Sequence, residues 1–136
     1  MEQFRHSFRV RYSEVDPQGV VFNSRYLEYA DIVVTEFYRD CRRRGMPADI
    51  EFHIRKAEID YLAPLRNDEL VEGTLTIAAV GNSSVTKHIA LHGENGTLRA
   101  EIRLVSVHVD LPRGTPERIP DSVRQAFGAL PVGADA

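Results

Sequence analysis

One stretch of helical periodicity, residues 24–44, stands in a sequence whose other apolar residues mostly alternate as they do in β-strands. Its apolar side chains recur at spacings of three and four residues, and polar side chains occupy the opposite face. The apolar set is Tyr26, Tyr29, Ala30, Val33, Phe37 and Cys41. Gly45 and Pro47 then predict the end of a helix about 30 Å long. Because the apolar face needs a partner, we expect the helix to pack on a sheet.

The segments on both sides of the helix predict that sheet. Residues 4–12 alternate strictly, with Phe4 and Tyr12 at the two ends of the apolar side. Four strand-like runs follow the helix, at 50–61, 71–79, 85–91 and 98–109. The first of these runs reverses its phase near Arg55 and Lys56, which indicates a β-bulge. Turn residues separate the last three runs, so we expect an antiparallel meander.

A strand, a helix and four further strands predict a two-layered α+β protein, and two folds fit that order: the hotdog fold and the cystatin-like fold. The 136 residues suit one domain, and 43% hydrophobic with 27% charged residues is a globular composition. Near the end, residues 121–130 form a short helical pattern whose Val123, Phe127 and Leu130 are placed to pack back on the core. Residues 131–136 are expected to fray.

Composition and spacing argue against several classes of function. The net charge of −3 offers no general attraction to nucleic acid or to an anionic membrane, and no run of apolar residues is long enough to span a bilayer. The N-terminal residues lack the apolar segment of a signal peptide, so we expect a cytoplasmic protein. His88 and His92 are four residues apart, which on a strand is about 13 Å, and we predict no metal site. No nucleotide-binding fingerprint is present, and we predict no cofactor.

The loop between the first strand and the helix contains the run Asp16-Pro17-Gln18-Gly19. Pro17 favours an extended backbone at Asp16, and Gly19 allows the backbone to approach a ligand closely. These residue types also favour turns, so the run by itself predicts only a turn. A carboxylate beside the unpaired N–H groups of a helix start is nevertheless suited to acyl transfer, because those groups stabilise an oxyanion.

Residues 10–29 resemble the signature of the 4-hydroxybenzoyl-CoA thioesterase family. The matching features are Asp-Pro-x-Gly-Val-Val beginning at Asp16, the aromatic Phe22, and a tyrosine, Tyr26, seven residues after the glycine. Weaker landmarks follow in the order typical of the family, at residues 59–65, 68–70, 107–110 and 118–120. The resemblance therefore extends over nearly the whole chain.

The resemblance implies a hotdog fold, in which a curved antiparallel sheet wraps around one long helix. It also implies a homodimer joined edge to edge, or a tetramer built from two such dimers, with active sites at the subunit interface. The activity that it implies is hydrolysis of an acyl-CoA or acyl-carrier-protein thioester. These remain expectations for the structure to meet.

The resemblance further assigns roles to particular residues. Asp16 corresponds to the catalytic carboxylate of the family and the backbone amide of Asn23 to its oxyanion contact, while related enzymes that act on short acyl-CoAs often carry histidine at the position of Asn23. Asn23 or Ser24 is placed to cap the start of the helix, and the Asn23 side chain can do so while its N–H faces the substrate. We expect Glu14 to be a solvated loop residue. Candidate substrate contacts are Gly19, Val20, Val21, Phe22, Tyr26 and Ser83. Exposed basic residues that are candidates to bind the phosphates of coenzyme A are Arg55, Lys56, Lys87 and Arg113.

Two routes for Asp16 remain open from the sequence. Its carboxylate can attack the thioester carbonyl to form an acyl-aspartyl anhydride, or it can deprotonate a water molecule. The leaving thiolate needs no strong general acid. Two other functions stay as alternatives: a non-catalytic module that binds acyl-CoA or lipid, and a hydratase acting on enoyl-CoA, which usually needs a paired histidine and acid.

Overall fold

The computed structural model describes residues 3–128 as a curved antiparallel sheet packed on a helix. The strands are β1 (Phe4–Arg9), β2 (Phe52–Tyr61), β3 (Leu70–Val80), β4 (Ser84–His92), β5 (Leu98–Asp110) and β6 (Thr115–Pro116). The helices are α1 (Arg25–Arg43) and α2 (Asp121–Ala126), with single 3-10 turns at Tyr12–Glu14 and Glu94–Gly96. The strand order is β1-β3-β4-β5-β2, and the short β6 pairs with the end of β5.

Helix α1 forms where the helical pattern predicted it, one residue shorter at each end. The predicted apolar face is buried, and Ala30, Val33 and Cys41 have no exposed surface. That face meets the side chains of β3, β4 and β5 that point to the same side of the sheet. With 19 residues the helix is of modest length rather than the long helix expected. No helix among residues 3–128 is long and apolar enough to cross a membrane.

The helix approaches the sheet most closely at Gly73 of β3. A Cβ atom at this position would collide with Cγ2 of Val33 on α1. One helical turn beyond this contact, aromatic rings fill the space: Phe4 meets Phe37 edge to face, with ring centroids 5.7 Å apart, and Phe37 stacks on Phe127 at the same distance. The position of α1, and therefore of the loop that precedes it, depends on this packing.

Three of the sequence predictions for the strands are confirmed. The meander β3-β4-β5 is antiparallel throughout. The register of β2 against β5 shifts between Ile54 and Lys56, where the phase reversal predicted a bulge. Residues Phe4 to Arg9 alternate between the half-buried and exposed faces. The predicted short helix ends at Ala126; Val123 and Phe127 are buried, whereas Leu130 and the predicted frayed tail lie outside the described residues.

The first strand, however, ends earlier than predicted. The backbone turns into a 3-10 helix at Tyr12, whose side chain is 82% exposed, so its placement on the buried face is wrong. The Glu14 side chain accepts a hydrogen bond from the Arg11 amide at 2.8 Å, and this local bond closes the turn. Alternation alone does not reveal such a competing bond.

We expect Gly73→Ala to lower the free energy of unfolding by about 1–3 kcal/mol, because the added methyl group must displace Val33 or shift α1. Denaturant unfolding measures the change. In the double variant Gly73→Ala/Val33→Ala the clash is removed, so its loss of stability should be smaller than the sum of the two single losses. Additive losses would show that Gly73 does not limit the approach of the helix.

Candidate active site

Residues 14–22 form a closed loop in front of α1. The Phe22 amide donates to the Glu14 carbonyl at 3.1 Å, the Asp16 amide donates to the Val20 carbonyl at 2.9 Å, and Val15 bridges to Val21. At the tip, the Gly19 amide donates back to the Asp16 carbonyl at 2.9 Å, and Gly19 has a φ of +79°, which favours glycine. The predicted turn is therefore present, and the backbone on both sides of Asp16 is held by hydrogen bonds.

The Asp16 carboxylate is half-buried, and its two oxygens have different environments. Oδ1 accepts the Gln18 amide at 2.8 Å, so the side chain stabilises its own turn. Oδ2 accepts no hydrogen bond from residues 3–128. One oxygen thus fixes the orientation of the carboxyl group while the other is available to a substrate or a water molecule.

Residues 65 and 66, in the segment before β3, fix the loop by backbone contacts. The Val21 amide donates to the Leu65 carbonyl at 2.8 Å, and Val20 bridges to Arg66. The Leu65 amide in turn donates to the Tyr26 hydroxyl at 3.1 Å. Both Val21 and Tyr26 belong to the hydrophobic core, with exposures of 4% and 3%, and they hold the loop against the sheet. Their contacts with a substrate stay predictions.

Glu14 also differs from its prediction as a solvated loop residue. Its Oε1 accepts the Tyr29 hydroxyl at 2.8 Å in addition to the Arg11 amide. Tyr29 is 1% exposed, and burial, followed by the hydrogen bond to Glu14, raises its pKa well above the usual range. The hydroxyl therefore stays protonated and donates throughout the neutral range. A buried tyrosine whose hydroxyl needs an acceptor was the signal for this contact.

An ion pair of Glu69 and Arg99 lies under the same segment. Arg99 Nη2 is 2.5 Å from Glu69 Oε2, and Arg99 Nη1 donates to the Pro64 carbonyl at 2.6 Å. Burial raises the pKa of Glu69, but hydrogen bonds from the backbone and from Arg99 outweigh it and leave the pKa lowered. Glu69 also accepts the Arg66 amide at 3.0 Å. The pair thus fixes both sides of Leu65, to which the loop is attached.

At the start of α1, the amides of Asn23 and Ser24 donate to no acceptor within residues 3–128. The N-cap residue is Ser24 and no side chain caps the helix, so the predicted side-chain cap from Asn23 or Ser24 is not formed. The Asn23 carbonyl accepts the Tyr61 hydroxyl from the end of β2 at 3.1 Å. Tyr61, which the sequence did not single out, therefore helps to orient the peptide beside Asn23. Phe22, next to it, is 52% exposed.

The remaining candidates do not gather around Asp16 within one chain. Ser83 precedes β4, whereas the Asp16 loop lies at the other end of that strand, about 30 Å away. The Ser83 carbonyl accepts the His108 amide at 2.7 Å, which is a structural role. Arg113, exposed and near Asp110, lies at the Ser83 end. Arg55 and Lys56 are exposed on β2, at the edge of the sheet.

Lys87 is not an exposed basic residue, and its predicted place among the phosphate ligands is wrong. It is 1% exposed, and its Nζ lies 5.1 Å from the centre of the Tyr38 ring and 5.2 Å from that of Phe52. Burial lowers the pKa of Lys87 to about 7. The sequence did contain the signal, because Lys87 has the same strand phase as the buried Val85, Ile89 and Leu91.

The lowered pKa predicts a pH dependence of stability. Between about pH 7 and 10.5 the unfolded chain keeps the Lys87 proton and the folded chain releases it, so stability rises with pH in that window. Over this window the change in the free energy of unfolding is on the order of 5 kcal/mol.

We expect Lys87→Met to unfold at a higher temperature than the wild type at pH 7 and to lose this part of the pH dependence, as measured by thermal unfolding at several pH values. Lys56→Met, at an exposed lysine, should keep the slope; if Lys87→Met keeps it too, Lys87 is not the responsible group.

Comparison with known proteins agrees with this architecture. Residues 10–127 match the model of the thioesterase-like superfamily. The chain is 30% identical over 128 residues to the acyl-CoA thioester hydrolase YbgC of Escherichia coli O6:H1, covering 91% of this chain and 95% of that protein. A predicted thioesterase from Bacillus stearothermophilus superposes with a TM-score of 0.84 at 25% identity, covering 97% of this chain and all of that one.

A 1,4-dihydroxy-2-naphthoyl-CoA thioesterase from Synechocystis shares the fold, with a TM-score of 0.82 at 19% identity over 95% of this chain and 98% of that one. Of the two folds that the order of elements allowed, these neighbours select the hotdog fold. The family model spans the Asp16 loop, helix α1 and strands β2 to β6. The chain therefore belongs to the thioesterase-like superfamily of hotdog-fold proteins.

Proposed function

We propose that this thioesterase hydrolyses an acyl-CoA or acyl-carrier-protein thioester to the free acid and the thiol, with Asp16 and the Asn23 amide as its catalytic groups. The observation that carries the proposal is the free Oδ2 of Asp16 on a loop that ends at the unpaired Asn23 amide. Relatives named acyl-CoA thioester hydrolase support the substrate class. The single cysteine, Cys41, is buried and forms no disulfide, which is typical of proteins in a reducing compartment and supports action in the cytoplasm.

The positive end of the α1 dipole and the Asn23 N–H stabilise the negative charge that develops on the carbonyl oxygen during attack. One such donor is worth about 3–4 kcal/mol in other acyl-transfer enzymes. Tyr61 donates to the Asn23 carbonyl and so holds the Asn23–Ser24 peptide group, which adjoins the donor, before the substrate arrives. Asp16 supplies the remaining chemistry, either as the nucleophile or as the base that activates water. Gly19, Val20 and Phe22, at the exposed rim of the loop, contact the acyl-pantetheine portion.

We propose further that the protein assembles through the edge strand β2. In one chain this edge exposes Ile54, Tyr61 and Leu62, at 61%, 52% and 54%, and an uncovered apolar edge is a template for pairing. Basic residues lie in the first half of β2 and acidic residues in the second half, so two antiparallel copies bring opposite charges together. These residues are His53, Arg55, Lys56, Glu58 and Asp60.

Such an antiparallel pair also brings the two groups of candidate residues together. The Phe52 end of one β2 lies beside the Tyr61 end of the other, and Tyr61 contacts Asn23. Ser83 and Arg113, which lie at the Phe52 end of the sheet, thereby approach the Asp16 loop of the second copy. Arg55, Lys56 and Arg113 then supply positive charge for the phosphates of coenzyme A. A tetramer formed from two such dimers keeps the same sites.

The catalytic proposal predicts that Asp16→Asn loses at least about 10³-fold in kcat while its helix and sheet remain folded. Release of free thiol from a panel of aliphatic and aromatic acyl-CoAs measures the activity. Asp49→Asn, the same change at an exposed aspartate outside the site, is the matched control and should keep wild-type activity. An acyl label retained on the protein after acid quenching identifies the nucleophilic route, and full turnover without it favours the general base.

If the wild type releases no thiol from any member of the panel, or Asp16→Asn matches the wild type, the catalytic proposal fails. Tight binding of acyl-CoA without thiol release would instead favour the non-catalytic binding module.

The assembly proposal predicts that Lys56→Glu weakens the dimer by at least about tenfold, since it places like charges opposite one another on β2. Light scattering across a dilution series measures the dissociation constant. In the wild type, Lys56 Nζ lies 3.3 Å from Glu58 Oε1 of the same chain. The exchange variant Lys56→Glu/Glu58→Lys keeps this ion pair with its charges reversed, and it also restores opposite charges between the two copies. It should dimerise like the wild type, and a monomeric wild type would contradict the proposal.

A further inference from the structure

A cavity of about 240 Å³ lies between α1 and strands β2, β4 and β5. Most of its wall is apolar, contributed by Leu27 and Val34 of the helix, Phe52 and Ile54 of β2, and Leu104 of β5. Leu27 is 43% exposed and stands one helical turn beyond Asn23. The cavity therefore begins beside the proposed oxyanion hole and extends along the helix.

The far part of this cavity contains the buried amine of Lys87. Its Nζ faces the rings of Tyr38 and Phe52, which line the same cavity. The only hydrogen-bond acceptor that it reaches among residues 3–128 is Ser106 Oγ, at 3.4 Å, and no carboxylate in that range forms an ion pair with it. An ammonium group has three donors, so most of its hydrogen-bonding capacity is unused.

Tyr38, whose ring lies beneath the Lys87 amine, carries a polar group that has no partner within residues 3–128. The Tyr38 hydroxyl is fully buried and forms no hydrogen bond with the described residues. Buried polar groups in folded proteins are nearly always satisfied, so an amine with spare donors and an unpaired hydroxyl, on two residues that line one cavity, indicate a ligand. Two aromatic faces stabilise a cation but do not neutralise it, so an anionic group is the ligand that compensates this amine best.

Resting on the proposed function, we propose that this cavity receives the acyl group and that Lys87 binds a carboxylate at its far end. The preferred substrates are then thioesters of dicarboxylic acids, in which one carboxyl group is esterified to the thiol and the other is free. The apolar wall between Leu27 and Phe52 accommodates the methylene chain. Lys87 is thus a residue that determines specificity, and it takes no part in bond cleavage.

The one acidic residue that lines the cavity does not oppose this arrangement. Asp31 lies on the exposed side of α1, four residues beyond Leu27 and seven residues before Tyr38. Seven residues of helix correspond to about 10 Å, so Asp31 stands nearer the entrance than the Lys87 amine. The negative charge of Asp31 disfavours a substrate carboxylate at the entrance. A carboxylate bound to Lys87 lies farther from Asp31 and is repelled less.

Matched acyl-CoA pairs that differ only in the terminal group test the proposal: hexanoyl-CoA with adipoyl-CoA, and decanoyl-CoA with sebacoyl-CoA. Thiol release gives kcat/KM for each, and the dissociation constant of each is measured with Asp16→Asn, which removes turnover. We expect the wild type to favour the dicarboxylic member of at least one pair by tenfold or more. Lys87→Met, which keeps the length of the side chain without its charge, should reverse that preference through KM.

Lys87→Gln is the second variant, should Lys87→Met fold poorly, and it should also lose the preference. Arg42→Met, at an exposed residue in the last turn of α1 away from the cavity, the Asp16 loop and the β2 edge, should leave kcat/KM for both members of a pair unchanged. A wild type that favours the monocarboxylic members, or ratios that Lys87→Met leaves unchanged, would overturn the proposal. If no thioester is hydrolysed but Lys87→Met still weakens binding of the dicarboxylic member tenfold, the proposed function fails and the inference stands.

Discussion

The burial of one face of α1 against the sheet determines where every part of the candidate site lies. Two tyrosines on that face form hydrogen bonds with the segments around the Asp16 loop. The Tyr29 hydroxyl donates to the Glu14 carboxylate, and the Tyr26 hydroxyl accepts from the Leu65 amide. The helix is itself limited in its approach by Val33 on Gly73. The packing that stabilises the fold therefore also fixes the backbone around Asp16. Neither tyrosine needs to contact a substrate to matter for activity, since each positions a segment that does.

Electrostatics divide this small protein into two different environments. Near the loop, Glu69 and Arg99 are buried together and their remaining donors and acceptors are used by the backbone at Pro64, Arg66 and Glu94, so the pair is satisfied. On the other side of α1, Lys87 is buried without an acidic partner in the described chain. A satisfied pair stabilises the structure that it holds, whereas an uncompensated charge lowers stability unless something else compensates it. Such a cost is expected at a place that binds a ligand.

The sequence predicted the order of elements, the bulge in β2 and the Asp16 turn, because each of these has a local cause: a period, a phase reversal, or residues that favour one backbone conformation. It did not predict that Tyr12 is exposed or that Glu14 binds Tyr29, because both depend on a hydrogen bond that competes with the strand. Lys87 was assigned by residue type to the surface, although its phase on β4 placed it inside. Of the two candidate capping residues, Ser24 and not Asn23 is at the N-cap position, because the helix starts at Arg25.

The proposed dimer edge and the proposed acyl cavity share residues, and this links assembly to specificity. Ile54 and Ala57 line the cavity and also lie on β2, where a second copy would cover them. Pairing at that edge removes water from the open side of the cavity and so lowers the local dielectric constant around Lys87. A lower dielectric constant strengthens the attraction between the amine and an anionic group while it raises the cost of leaving the amine alone. Discrimination between acyl groups should therefore be weaker in a monomer than in the assembled protein, although the Asp16 loop is complete within each chain.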